Sequence, residues 1–310
     1  MKIAIIHHDI EPTELKFKEL FEKKKCIVDL IDIRSVLDTS GEQFLSYDLV
    51  LNRVYSSVAS RDFDVLIKIL SLLRNLEINE VKCINSFMSS LADYSKYELF
   101  KILSSNGIPT PPSIFVGSVK HIKNKALKAI KEFGFPIVIK RNCGGKSYDV
   151  TRVSSLIELI SSLNNSFKIA GNQGYKGGFL LQKFIKSIRE HDCRVGIIEG
   201  EYYFSYARSL ISRNSKDKWM SSTSSGSNEF DYSANKEEIE TSLRANLVLG
   251  ASLSESDVMM TIEGPFIIEV NLTPGYFMDC KEDLERMKLI VNKLIENNLN
   301  KKLIKVKAYR

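Results

Sequence analysis

The sequence predicts an α/β protein of two or three subdomains around a cleft, opening on a parallel sheet. Three observations carry that reading. Short β-branched runs alternate with helical patterns over residues 1–92, the signature of parallel strands joined by helical crossovers. The stretch Gly107-Ile108-Pro109-Thr110-Pro111-Pro112 then forces an extended link. The full 310 residues are also too many for one small core.

Taken in order, Ile3 to Ile6 is the first strand. Thr13 to Lys25 follows as a helix, with Leu15, Phe17, Leu20 and Phe21 at apolar positions. Ile27 to Ile33 and Asp48 to Asn52 read as strands, Phe63 to Leu76 as an amphipathic helix, and Val81 to Asn85 as a fourth strand. Ligands bind beyond the carboxyl ends of such strands, so His7, Asp9, Asn52 and Arg53 are expected to line a cleft. A boundary falls at about residue 92, before a helix from Asp93 to Asn106 that Gly107 ends.

Ile114 to Val116 reads as a strand and Ile122 to Phe133 as a helix ended by Gly134. Pro136 to Lys140 is a buried strand, Ser154 to Leu163 a helix, Gly171 to Gly178 a glycine-rich link, and Phe179 to Ile185 another strand. Asp192 to Ile198 and Glu201 to Arg208 form a hairpin with Glu199-Gly200 in its turn. Ser212 to Asn228 is polar and serine-rich and is expected to be a mobile loop. Lys236 to Leu249 is a helix, a second hairpin turns at Gly264-Pro265, and Asp283 to Asn297 closes as a helix.

Composition narrows the chemistry. The 44% hydrophobic and 26% charged fractions are those of an ordinary globular protein. A net charge of +6 from dispersed lysines suits anionic small molecules. No basic stripe interleaved with aromatics points to nucleic acid. Five scattered cysteines and four histidines lack zinc-ligand spacing and imply reduced thiols in a cytoplasmic protein. No apolar run approaches a membrane span, and the N-terminal run is too short for a signal peptide.

The last hairpin carries the strongest chemical signal. Glu269 and Asn271 lie two apart on one strand and share a face, and pairing with the Asp257 strand brings all three together. Three oxygen donors suit a hard cation, Mg²⁺ or Mn²⁺, which usually serves a nucleotide's phosphates. Lys140 ends a buried strand, a costly place for an ammonium unless an anion meets it. The loop after it, Cys143-Gly144-Gly145-Lys146-Ser147, offers backbone N–H groups to phosphate oxygens, without Walker A or Rossmann spacing. Arg194, in Asp192-x-Arg194, and Arg208 converge from paired strands as an anion clamp. Lys96 carries no signal of its own on periodicity.

In sequence order these pieces resemble the ATP-grasp superfamily, and specifically its RimK-type carboxylate–amine ligases. The resemblance covers roughly residues 90–280 and rests on a series of matches. They are Asp93-x-x-Lys96, Gly107-Ile108-Pro109-Thr110-Pro111, Pro136 to Lys140, Gln182 to Ile185, Asp192-x-Arg194, Arg208, Asp257, and Glu269-Val270-Asn271-x-x-Pro274-Gly275. It implies an ATP-grasp fold: an N-terminal parallel-sheet α/β domain (1–92), a central α+β subdomain (93–178) and a C-terminal one (179–310) enclosing the nucleotide.

The resemblance also implies roles. Lys96 and Lys140 become the nucleotide-phosphate lysines, with Lys146 as a further phosphate contact. Gln182, Lys183, Phe184 and Ile185 become the strand that meets adenine. Asp257, Glu269 and Asn271 become the Mg²⁺ (or Mn²⁺) ligands, and Arg194 and Arg208 the catalytic arginines near the transferring phosphoryl group. Three positions depart from the family pattern. The central loop Gly144 to Asp149 lacks two glycines of G-x-Q-G-x-G. The acidic ribose position is Ser187, with Glu190 nearby, and N-x-x-x-G-G appears as Ser222-x-x-x-Gly226-Ser227.

The implied activity is an ATP-dependent ligase that converts a carboxylate to an acyl phosphate and joins it to an amine, releasing ADP and phosphate. Its partners are small carboxylate and amine substrates, an amino acid or peptide, with neither nucleic acid nor membrane, in a homo-oligomer (dimer or tetramer) as in related ligases. Two other readings compete: a ligase that modifies a ribosomal peptide, of the graspetide type, and a non-catalytic ATP-binding module. The absence of any Ser/His or Cys/His signature agrees with chemistry that needs no covalent enzyme nucleophile.

Overall fold

A computed structural model describes residues 1–145, 147, 149–213 and 216–308, with side chains as far as residue 298. The first sheet holds β1 (Lys2–His7), β2 (Ile27–Asp32), β3 (Leu49–Asn52) and β4 (Cys83–Ile84), parallel and in the order β2-β1-β3-β4. Both its faces are covered, so its strands are apolar on both sides. Ala4 and Ile6 pack with Val65, Ile69, Leu72 and Leu76 of α2 (Phe63–Ile78). Ile3 and Ile5 pack with Phe17 and Phe21 of α1 (Pro12–Lys23). Proline at the first turn and a Glu11/Glu14 capping box start α1 where the pattern predicts.

The helix expected from Asp93 is two helices, α3 (Phe87–Tyr94) and α4 (Lys96–Ser105). Ser95 breaks them: its backbone is extended, and its hydroxyl accepts from the Glu98 N–H at 3.3 Å to cap α4. A second sheet follows, antiparallel in the order β5-β8-β6-β7. Its strands are β5 (Ser113–Val116), β6 (Ile137–Arg141), β7 (Thr151–Val153) and β8 (Phe179–Lys183). Helices α5 (Ile122–Phe133) and α6 (Leu156–Asn172) cover one face through Ala126, Ala129, Leu159 and Leu163. β7, three residues long, has too little pattern to be read from sequence, and α6 outruns its predicted end at Leu163.

The third sheet is antiparallel in the order β13-β10-β9-β14-β15. It comprises β9 (His191–Ile198), β10 (Glu201–Ser209), β13 (Glu229–Asp231), β14 (Leu253–Thr261) and β15 (Gly264–Asn271). Helix α7 (Lys236–Leu249) seals its far face with Ala245 and Leu249 against Val195, Ile197 and Val258. The segment expected to be a mobile loop instead contains a small antiparallel pair, β11 (Ile211–Ser212) and β12 (Lys218–Met220). Trp219 orders it: the ring is buried, and its N–H donates to the Arg213 carbonyl at 2.8 Å. Helix α8 (Lys281–Ala308) returns to the first sheet, where Met287, Ile290, Val291 and Leu294 join Ile3 and Ile5. Among the described residues no helix is long and apolar enough to cross a membrane.

Gly178, which leads into β8, has φ +70°, and a Cβ there would lie 2.7 Å from the Phe115 ring and 2.9 Å from the Val116 carbonyl. Gly178→Ala is expected to destabilise the protein by about 1–3 kcal/mol through backbone strain and this clash. Urea unfolding followed by circular dichroism checks this, and an unchanged midpoint refutes it.

Candidate active site

The site is built on one face of the third sheet. The β14–β15 hairpin turns at Ile262-Glu263, not at Gly264-Pro265 as expected, and Thr261 pairs with Gly264. Pro265 is tolerated because β15 is an edge strand. From this turn Met260 pairs with Pro265, Met259 with Phe266 and Val258 with Ile267. Continued unbroken, that register would set Ile268 opposite Asp257 and turn Glu269 to the other face. A bulge intervenes, Ile268 drops out of the pairing, and Asp257 faces Glu269 while Glu255 faces Asn271. The three oxygen donors therefore do share a face, with the Asn271 amide nitrogen 3.4 Å from an Asp257 oxygen.

The neighbouring strands bring two arginines to that face. Arg194 of β9 pairs across with Asp257, and Arg208 of β10 with Asp192. Arg194 donates from Nε and Nη2 to Asp257 at 2.7 and 3.1 Å. Arg208 lies 2.8 Å from the same carboxylate and donates from Nε to Asp192 at 3.2 Å. The Ser221 hydroxyl donates to Asp192 and accepts from Arg208. Burial alone would raise the Asp257 pKa, but Arg194 and Arg208 outweigh it and hold the carboxyl well below its usual range.

The second sheet supplies the facing cations. Along β6 the side chains of Ile137 and Ile139 enter the helix-covered core, which leaves Val138 and Lys140 on the opposite face. Burial, reinforced by the charge of Lys96, lowers the Lys140 ammonium to about 8. Among the described residues Lys140 has no hydrogen bond or ion pair, whereas Lys96 donates to the Gly144 carbonyl at 2.6 Å and lies 2.7 Å from Glu269. Burial works against the ionised form of Glu269, but Lys96 outweighs it and keeps its pKa below the usual value. Asp93, on the last turn of α3, accepts from the Leu272 N–H at 3.3 Å, and burial pushes its carboxyl up to about 7.

Between the two sheets lies a cleft with an apolar and a charged part to its lining. Val138, Val150, Phe184, Trp219 and Met220 pack into one apolar cluster, and Ile185, Met259 and Ile268 also line the wall. The Arg152 guanidinium lies 4.9 Å from the Phe184 ring and 5.4 Å from the Trp219 ring. The lining also carries charged and polar groups, Lys96, Lys140, Asp192, Asp257, Glu269, Ser57 and Ser60. An apolar cluster beside ammonium groups and carboxylates can receive a ligand that is part apolar and part anionic.

The other expected residues divide. Gln182 and Lys183 also line the cleft, the Gln182 amide being tied to the Ser113 hydroxyl at 3.0 Å. Arg194, Arg208 and Asn271 stand behind the carboxylates and are not on the wall. Glu190 is exposed, pairs with Lys218 at 2.9 Å and is not among the residues that line the cleft. Lys146 lies outside the described residues.

The N-terminal expectations also need correcting. His7, Asn52 and Arg53 are buried and do not line the cleft, and Asp9 pairs at the surface with Arg61. Asn52 donates to the Tyr94 hydroxyl at 2.9 Å. Arg53 is bound by Glu14 at 3.1 Å and by the Pro274 carbonyl at 2.8 Å.

The chain has known relatives. A family model described as a RimK-like ATP-grasp domain matches residues 93–294. The chain belongs to the RimK-like ATP-grasp family. A protein named probable alpha-L-glutamate ligase, from Psychromonas ingrahamii, is 24% identical over 258 residues, 83% of this chain and 78% of that protein. A RimK domain ATP-grasp protein from Sphaerobacter thermophilus aligns with a TM-score of 0.68 at 15% identity, covering 94% of this chain and 98% of that one. D-alanine–D-alanine ligase from Bacillus anthracis complexed with ATP aligns with a TM-score of 0.66 at 19% identity, covering 97% and 98%. The likeness to both structures is one of fold.

Within this RimK-like ATP-grasp site, sequence reasoning missed Ile268, Met259, Ser57, Ser60 and Glu255. Ile268 was hidden by the bulge, since strict alternation sends it to the far side from Glu269. Ser57 and Ser60 follow the carboxyl end of β3, so the positional rule that drew attention to Asn52 could have reached them.

The ammonium of Lys140 is depressed in the folded chain and ordinary in the unfolded one. Between about pH 8 and the usual lysine range only the unfolded chain holds that proton, so this group makes folding more favourable as pH rises. Lys140→Met is expected to abolish that increment. Denaturation of both proteins from pH 7 to pH 10 measures the difference, and parallel profiles would contradict the lowered pKa.

Proposed function

We propose that this chain is a cytoplasmic, ATP-dependent carboxylate–amine ligase that forms an acyl phosphate and joins it to the amine of an amino acid or peptide. The observation that carries the reading is the facing pair Asp257 and Glu269, flanked by Asn271 and set across the cleft from Lys140. The purine would enter the slot between Val138, Phe184 and Ile268. The central subdomain (93–178) would grip the phosphates from one side and the C-terminal one (179–310) from the other.

Asp257, Glu269 and Asn271 form a donor set of two carboxylates and an amide oxygen, which fits Mg²⁺ or Mn²⁺. Among the described residues no three His, Cys, Asp or Glu side chains cluster as a metal site, so the amide is a natural third donor. Such an ion would neutralise charge on the phosphoryl oxygens. The chain's own groups do the rest. Lys140 regains a full charge beside a phosphate, because an anion offsets the burial that depresses it. Arg208, fixed by Asp192 and Ser221 and bonded to Asp257, stands one carboxylate behind the cleft wall, and we assign it to the negative charge that builds on the transferring group. Burial pushes the Cys143 thiol up to about 11, so it stays protonated and does not compete as a nucleophile.

The name carried by the Psychromonas relative makes L-glutamate and short acidic peptides the first amino-acid substrates to test. ATP, Mg²⁺ and a panel of amino acids are expected to give ADP and phosphate only with particular acceptors. AMP as product, or turnover indifferent to added substrate, would defeat the proposal. Glu269→Gln is expected to lower kcat at least about a hundredfold, the upper end for a disturbed metal shell. Arg208→Gln is expected to lower kcat by about 10²–10³ and leave the KM for ATP little changed, as for loss of a group that acts on the transition state. Steady-state ADP release measures both, and a change confined to KM would reassign Arg208 to binding.

A further inference from the structure

Two guanidiniums and three carboxylates meet at the cleft wall, Asp192 and Asp257 on its surface and Arg194, Arg208 and Glu255 behind, and they are shared unevenly. Asp257 bonds both Arg194 and Arg208, at 2.7 and 2.8 Å. Each arginine also has a carboxylate that the other does not use. For Arg208 it is Asp192, and for Arg194 it is Glu255, 3.6 Å from Nη1. Glu255 is 1% exposed and is held by the Tyr276 hydroxyl at 2.9 Å and the Tyr206 hydroxyl at 3.4 Å. The nearest further cation, Arg286, stacks 3.9 Å over the Tyr206 ring and is bound by Asp283.

A buried guanidinium that loses its carboxylate is strongly destabilised. A divalent cation drawn to Asp257 competes with both arginines for the same two oxygens. Arg208 keeps Asp192 whatever Asp257 does, whereas the one carboxylate left to Arg194 is Glu255, beside a long contact of 3.5 Å to the neutral Tyr206 hydroxyl. We propose that Glu255 is a positioning residue: it retains Arg194 when Asp257 turns to a divalent cation, and so makes Asp257 releasable. The inference rests on the reading of Asp257 and Glu269 as cation ligands.

The test uses the purified full-length chain and Mn²⁺ alone, with free Mn²⁺ read by electron paramagnetic resonance. Glu255→Gln leaves Arg194 dependent on Asp257 and should weaken Mn²⁺ binding about tenfold, the scale of one charge-assisted contact. Arg194→Gln removes a competitor and should strengthen binding. In the double variant the Glu255 effect should vanish, since nothing remains for it to retain. Equal weakening by Glu255→Gln in both backgrounds means a merely structural role and overturns the inference, as does unchanged binding in a folded Glu255→Gln protein.

If Glu255→Gln does not fold, Glu255→Asp takes its place: weaker Mn²⁺ binding that Arg194→Gln suppresses supports the inference, and unchanged binding, or equal weakening in both backgrounds, overturns it. The underlying reading fails separately, if the natural protein shows no Mn²⁺ binding that Glu269→Gln abolishes.

Discussion

One extra residue in an edge strand sets the geometry on which the site depends. The two-residue turn at Ile262-Glu263 starts the hairpin in a register that would hide Glu269 on the α7 face. Ile268, left out of the pairing, shifts the remaining ladder by one and returns Glu269 and Asn271 to the side of Asp257. The same shift frees the Ile268 side chain to line the cleft. A single irregularity thus sets an apolar side chain and the carboxylates on one cleft wall.

The second constraint is charge compensation in a dry place. Lys96, Lys140, Arg194 and Arg208 meet Asp192, Glu255, Asp257 and Glu269 within a few contacts of one another. Most of these groups are buried, where a lone charge is costly and a paired one is tolerated. Only Lys140 has no partner among the described residues. Three of the four cations share all four carboxylates, and Lys140 bonds none of them. That fits a site which must admit a highly charged ligand and stay folded before it arrives.

Much of this was legible in the sequence, because local pattern and tertiary demand agreed. The parallel sheet, the helix from Ile122 to Phe133 and the helix from Lys236 to Leu249 sit where hydrophobic period and caps place them. The convergence of Asp257, Glu269 and Asn271 followed from a period of two, although the turn was misplaced and a bulge made good the difference. What escaped depends on distant contacts. Ser95 breaks a helix whose apolar spacing runs straight through it, because its hydroxyl caps the next helix and bonds the Asn142 side chain. Trp219 turns a polar loop into structure by burying one ring between remote segments. His7 ends β1 and Arg53 follows β3, close to where the positional rule looks, yet both pack inward, and no residue pattern distinguishes that from facing a cleft.

The helix α8 closes the molecule in an unexpected place. Its residues Met287, Ile290, Val291 and Leu294 complete the cluster that holds Ile3 and Ile5 of the first strand. During synthesis those first residues leave the ribosome long before their last partner exists. Until then the early sheet exposes an incompletely covered apolar face, a surface that invites aggregation or chaperone binding. The order in which the chain emerges therefore runs against the order in which its contacts can close, because the last residues of the family-matching region 93–294 complete a layer begun by the first strand.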